Sequence, residues 1–235
     1  QFVWHPFTQM KDYADRDHVQ IVRARGLKLF TADGRTLDDT ISSWWCTLHG
    51  HSHPGINAAI SGQLKKMEHV MFAGLTHEGA VRLAARLVKI APDGLAKVFY
   101  SDNGSTACEV ALKMSFQFRQ QVGESKRREY ISFTGGYHGD TVGAMSVSGP
   151  SRFNSVFRPL MLKRHMVPGP VCHDCPHRSA RGTCRTECLA ALEQLLVKRG
   201  DRITALFVEP LVQAAGGMLV HPPRWLARVA ALCRR

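Results

Sequence analysis

Three short apolar runs, at residues 98–100, 130–133 and 203–208, are separated by stretches whose apolar residues recur at helical spacing, notably 106–121 and 186–198. Runs this short and this apolar read as strands buried on both faces. Strands that alternate with helices fold as a parallel sheet with helices packed against it. The chain is therefore expected to be α/β, mostly parallel sheet flanked by helices. Two more helical patterns, at 56–70 and 76–90, precede the first run, and Pro92-Asp93-Gly94 ends the second of them. Upstream the texture changes to short strands at 19–23, 27–31 and 35–38, with Asp33-Gly34 as the hairpin turn between the last two. Two parts follow: a segment 1–53 built as an antiparallel strand meander, and a region 54–235 carrying the parallel sheet.

The 235 residues are 44% hydrophobic and 21% charged, the balance of an ordinary globular protein with a real core. A formal charge of +12 raises the question of nucleic acid. The basic residues are scattered, however, and the densest run, Lys126-Arg127-Arg128, falls in a turn position with no interleaved aromatics. Nucleic acid is thus not an expected partner, and the positive field suits anionic small molecules and their phosphates. No basic-then-apolar leader opens the sequence. The weakly polar stretch 203–220 is interrupted by Glu209-Pro210 and Gly216-Gly217, so no membrane span is expected. Seven cysteines are an odd number, and free thiols in a reducing cytoplasm account for them most simply. The last residues read as an unfinished helix-then-strand unit, the expected mark of a piece of a longer protein.

In parallel α/β sheets ligands bind beyond the carboxyl ends of the strands, and here each run is followed by a polar, glycine-rich stretch. After the first comes "SDNGSTACEVALKM", where Thr106 and Glu109 have the spacing of a capping box. Gly104-Ser105 is expected just before the first free N–H groups of that helix, whose dipole favours an anion, although an ordinary capped helix would read the same. After the second comes "FTGGYHGDT", with Tyr137, His138 and Asp140 among three glycines. After the third comes "EPLVQAAGG", whose Glu209 is costly at the end of an apolar strand unless it reaches polar partners or water. Together the three loops describe one pocket.

Three further features stand apart. Trp44 and Trp45 are adjacent, and in extended chain one would face the core while the other lines a cleft. His49, His51 and His53 alternate, but the "HGHSHPG" context reads as a turn without an acidic or Cys partner, so no metal is assigned there. Cys172, Cys175, Cys184 and Cys188 fall in a charged excursion at 168–188. Their spacing is not that of a standard zinc site, and structural zinc, free thiols and a regulatory disulfide all remain open.

The stretches "WHPFTQMKDY", "SSWW", "HGHSHP", "HVMFAGLTHE", "FYSDNGSTACEVALKM", "GGYHGDTVGAMSV" and "VEPLVQAAGGM" run in order along nearly the whole chain. In these the sequence resembles the class III, fold-type I pyridoxal-phosphate aminotransferases, and among them the biotin-biosynthesis branch. The resemblance implies pyridoxal 5'-phosphate as cofactor, with Gly104 and Ser105 on its phosphate, Tyr137 stacked on its ring and Glu209 beside it. It implies that Trp44, Tyr137 and Phe7 contact substrate, that Asp140 supports the loop, and that 1–53 forms part of a small domain and a wall of the active site. The implied reaction is a two-stage amino transfer to 8-amino-7-oxononanoate, from S-adenosylmethionine or, alternatively, from lysine, in a cytoplasmic homodimer with its active site at the interface. Other class III omega-aminotransferases, and a non-catalytic zinc-binding module on the cysteine excursion, are the rival readings. The branch often has Tyr where this chain has Phe7, and the cysteine excursion is not general to the family. Ala214-Ala215 stands where ornithine- and GABA-type relatives commonly place Glu, which favours the biotin branch. The Schiff-base lysine and the acidic partner of the pyridine nitrogen are implied beyond "VEPLVQAAGGM", so no lysine of this chain is assigned as catalytic.

Overall fold

A computed structural model describes residues 2–16, 18–178, 182 and 184–234. The chain divides into two compact units, Gln1–Val98 and Phe99–Arg235. The first unit opens with a single helical turn, α1 (Met10–Tyr13), followed by an antiparallel sheet in the order β1 (Ile21–Arg25), β2 (Lys28–Thr31) and β3 (Thr36–Asp38). The expected hairpin is present, with Leu29 opposite Leu37 across the Asp33-Gly34 turn.

The expected extended tryptophans are not. Ser42–Trp45 forms one turn, α2, in which all four residues have positive φ: 50°, 47°, 58° and 66°. Left-handed backbone throws both rings outward, and Trp44 and Trp45 are exposed within this unit. Neither is core. Helices α3 (Pro54–Leu64) and α4 (Glu78–Ile90) complete the unit. Each is capped by a histidine: His53 Nδ1 accepts from Ile56 N–H and His77 Nδ1 from Ala80 N–H, both at 3.3 Å. The first ends six residues before the expected boundary at 70, where Lys65 and Lys66 follow a turn of weak apolar periodicity.

The second unit begins with α5 (Gly104–Gln121), then β4 (Glu129–Phe133), α6 (Val142–Val147), β5 (Arg164–Val167), α7 (Ala190–Arg199) and β6 (Ile203–Phe207). A small antiparallel pair, β7 (Val212–Gln213) and β8 (Leu219–Val220), and α8 (Trp225–Cys233) close it. The strands form a parallel sheet in the order β5-β4-β6, with Tyr130 between Arg164 and Ala205. All five residues of β4 are buried. Ile131 and Phe133 face one layer with Leu192, Trp225, Val229 and Leu232, while Tyr130 faces the other with Leu112 and Val147. Coverage on both faces explains the short, largely apolar run, Tyr130, Ile131 and Phe133 around Ser132, that marks β4 in the sequence.

Two expectations need correction. The run 98–100 is extended but joins no ladder among the described residues. The central strand's partner is instead β5, whose Arg164, His165 and Met166 gave no apolar run. Charged groups gather where these strands start: Glu129, buried at the start of β4, accepts from Arg199 Nη2 of α7 at 2.8 Å and lies 2.6 Å from His165 Nε2 and 3.2 Å from Lys163 Nζ. Among the described residues, no helix is long and apolar enough to cross a membrane.

Candidate functional site

The helix α5 starts one turn earlier than the Thr106–Glu109 spacing implied. Asn103 is its N-cap: Asn103 Oδ1 accepts from Thr106 N–H at 3.0 Å, and Thr106 Oγ1 accepts from Asn103 N–H at 3.1 Å. Gly104 and Ser105 are thus the first two helical residues, and their N–H groups belong to the set that no intrahelical carbonyl reaches. An 18-residue helix presents its positive end at that point. No described atom lies within 4 Å of where a Cβ at Gly104 would stand, so the helix start is open in this unit.

Glu109 does not cap its own helix. Its carboxylate accepts from Gly143 N–H at 2.7 Å and Ala144 N–H at 3.2 Å, capping α6 from outside. Nothing in the sequence spacing pointed to that pairing, because the partners lie 34 and 35 residues away.

The loop after β4 is seated on the start of α5. Ser105 Oγ accepts from Asp140 N–H at 3.0 Å, and Asp140 Oδ2 accepts from the Tyr137 hydroxyl at 2.6 Å. Between them Gly139 has φ of +127°, and a Cβ there would overlap Ser105 Oγ. This is the position where the loop needs glycine, for both conformation and close approach. Burial, and then the bond and charge of Asp140, push the Tyr137 phenol up to about 12.

Glu209 ties a third loop to the other two. Its Oε1 accepts from Tyr137 N–H and its Oε2 from Ala214 N–H, each at 3.0 Å. The strand-end carboxylate therefore finds two backbone donors rather than water, which resolves why it tolerates its place. His138 donates its N–H to Ser148 Oγ at 2.8 Å and sets its ring edge-on to Phe207. Burial depresses its imidazole, against the opposing charge of Glu209, so the ring is neutral at physiological pH. Gly104, Ser105, Tyr137 and Glu209 are thus brought together within the second unit: an open helix start, an aromatic ring tied to it through Asp140, and the carboxylate that holds the Tyr137 backbone. Asn103 and Ser148 were not anticipated, and Glu109 was expected to cap its own helix rather than α6.

The other two expected residues meet in the first unit. Phe7, itself at φ of +52°, packs edge-on against Trp44 with ring centroids 5.8 Å apart. His51 is also not partnerless: its Nε2 lies 2.7 Å from Asp39 Oδ2, an acidic neighbour twelve residues upstream. Asp39 also accepts from Ser43 N–H at 2.9 Å and Ser43 Oγ at 2.7 Å, and these bonds, with His51, hold its carboxyl down at about 2. Cys172, Cys175, Cys184 and Cys188 are half-buried, and residues 179–181 and 183 of that excursion lie outside the described set. Among the described residues, no three His, Cys, Asp or Glu side chains are grouped so as to hold a metal ion.

The family model for class-III aminotransferases matches residues 10–235. The chain belongs to the class-III aminotransferases. This class-III aminotransferase chain is 45% identical over 234 residues to the adenosylmethionine-8-amino-7-oxononanoate aminotransferase of Geobacter sulfurreducens, covering 99% of this chain and 52% of that protein. The crystal structure of the enzyme of the same name from Methanocaldococcus jannaschii superposes with a TM-score of 0.90 at 36% identity, covering 99% of this chain and 50% of that one. An amine transaminase from an uncultivated Pseudomonas species, in its PLP-bound form, superposes with a TM-score of 0.90 at 30% identity, covering 100% and 54%. The chain spans about half the length of the curated relatives it matches. These matches agree with the fold-type I architecture expected from the sequence.

Proposed function

We propose that the full-length protein is the pyridoxal-phosphate-dependent aminotransferase of biotin biosynthesis that aminates 8-amino-7-oxononanoate, with S-adenosylmethionine as donor. The observation that carries this reading is the joining of Tyr137 to the start of α5 through Asp140 and Ser105, which puts an aromatic ring beside an anion seat. Relatives bearing that enzyme's name support the choice of substrates.

The residues present fit a phosphorylated, planar cofactor. The Gly104 and Ser105 N–H groups would receive phosphate oxygens at the positive end of the helix. Ser105 Oγ already accepts from Asp140 N–H, so its own proton is left to donate to the phosphate. Tyr137 would cover one face of the ring, with its backbone fixed by Glu209 and its hydroxyl by Asp140. When bound, the cofactor would supply an electron sink for the negative charge that develops as the amine-bearing carbon of the donor loses its proton. Neutral His138 adds no charge to the seat. Phe7 and Trp44 would offer apolar surface to the acceptor's chain.

The donor is chosen over lysine because Phe7 removes one hydroxyl, and a bond of about 0.5–1.5 kcal/mol does not exchange donors so different in shape. The test uses the full-length protein loaded with pyridoxal phosphate, following cofactor absorbance as each donor is added alone. Conversion with S-adenosylmethionine faster than with lysine at matched concentration is expected. The reverse order overturns the donor, and no conversion with either overturns the reaction.

A further inference from the structure

Gln213, in β7, is one of the largest fully buried side chains, 2% exposed. Its Nε2 donates to Thr134 O at 3.0 Å, while its Oε1 is buried with no hydrogen-bond partner among the described residues. The carboxamide is wedged between two glycine backbones, since a Cβ at either Gly135 or Gly169 would stand 3.2 Å from Oε1. A thioether or leucine of similar volume would fill this space without burying an unmatched acceptor, so packing alone gives no reason for an amide.

What the amide does is local. Thr134 is the first residue after β4, and Tyr137 follows three residues on. Thr134 is gripped from three sides: its N–H bonds Val167 O at 2.9 Å, its Oγ1 accepts from Gly169 N–H at 2.9 Å, and its carbonyl takes Gln213. At the far end of the same short segment Glu209 holds the Tyr137 N–H. Residues 209 and 213 thus pin residues 134 and 137 from one neighbouring strand-end segment.

We propose that Gln213 is a positioning residue for the Tyr137 ring, acting through the Thr134 carbonyl. It needs a neutral donor there, because an ionised carboxylate would set oxygen against oxygen and an apolar chain would release the carbonyl. The inference rests on the reading that this ring covers the cofactor.

The test uses the full-length protein with Gln213→Met and Gln213→Glu, measured in two ways. Amide hydrogen exchange of residues 134–140 in the cofactor-free state is expected to be about tenfold faster in Gln213→Met, the scale of one lost buried hydrogen bond. Exchange in the core strand β4 should be unchanged. The dissociation constant for pyridoxal phosphate should rise by about tenfold in the same variant. In Gln213→Glu, affinity relative to wild type at the same pH should be retained in acid, where the neutral carboxyl donates to Thr134 O. It should be lost as the group ionises, above the usual carboxylate range because the site is buried. Wild-type exchange and affinity in Gln213→Met, or a Gln213→Glu ratio flat with pH, overturns the proposal. If wild-type protein takes up no pyridoxal phosphate, the cofactor reading falls, and hydrogen exchange alone upholds or overturns the role of Gln213.

Discussion

Replacing Gly139 by alanine perturbs the contact between the loop after β4 and the start of α5 in two separable ways. The backbone there has φ of +127°, and holding a non-glycine residue in so sparsely populated a region costs about 1–3 kcal/mol. The added Cβ also overlaps Ser105 Oγ and would stand 2.8 Å from Ser105 Cβ, so the serine must move. Moving it breaks the Asp140 N–H to Ser105 Oγ bond, a further loss of about 0.5–1.5 kcal/mol. The expected total is about 1.5–4.5 kcal/mol. Urea denaturation of the full-length protein would measure it, and pyridoxal-phosphate titration should show weakened binding because the displaced hydroxyl leaves the anion seat. The steric part is isolated by a double-variant cycle with Ser105→Gly, which removes both the hydroxyl and the Cβ. If the overlap matters, Gly139→Ala costs at least about 0.5 kcal/mol less in that background. Equal costs in the two backgrounds, or a single-variant cost below about 0.5 kcal/mol, would refute the reasoning.

Two other outcomes follow from charge. The Arg199 guanidinium, with His165 and Lys163, holds the buried Glu129 carboxyl well below the usual range, so its stabilisation is fully present above about pH 4.3 and is lost as pH falls through the folded value. The Glu129→Gln variant should therefore melt several degrees lower at pH 7, with the gap to wild type closing in acid; a pH-independent gap in thermal scans would contradict the assignment. Tyr137→Phe should keep pyridoxal-phosphate affinity within about tenfold, since it loses one hydrogen bond and no ring area, whereas Tyr137→Ala should lose more. With the wild-type phenol at about 12, ultraviolet titration should show Tyr137 still protonated at pH values where exposed tyrosines have ionised.

The layers of the second unit were legible because each leaves a short-range trace. The run that became β4 is apolar since both its faces are covered, and the glycines of "FTGGYHGDT" announce a loop that approaches other backbone closely. Features set by long-range pairing left no such trace. The strand β5 reads as polar partly because its His165 meets a carboxylate rather than an apolar layer, and only the fold shows that the carboxylate is Glu129. At the start of α5, Asn103, Ser105 and Thr106 are all competent caps, and spacing alone does not choose between them. The histidine at 51 seemed partnerless because Asp39 comes to it only when the first sheet folds. The grouping of Ser105, Tyr137 and Glu209 was legible from the loops that follow the apolar runs, and the contacts of Gln213 with Thr134 and of Glu109 with α6 were not.

The left-handed turn at Ser42–Trp45 carries a consequence for how its two rings are inherited. Four successive non-glycine residues in this conformation cost roughly 1–2 kcal/mol each, so nothing in the tetrapeptide itself selects the shape. It is latched from outside, by the Asp39 carboxylate that grips Ser43 and is itself backed by His51. Grafted into another loop without Asp39 and His51, the same Ser-Ser-Trp-Trp sequence would relax to extended or right-handed backbone and its rings would diverge. The aromatic pair is transplantable only together with its latch.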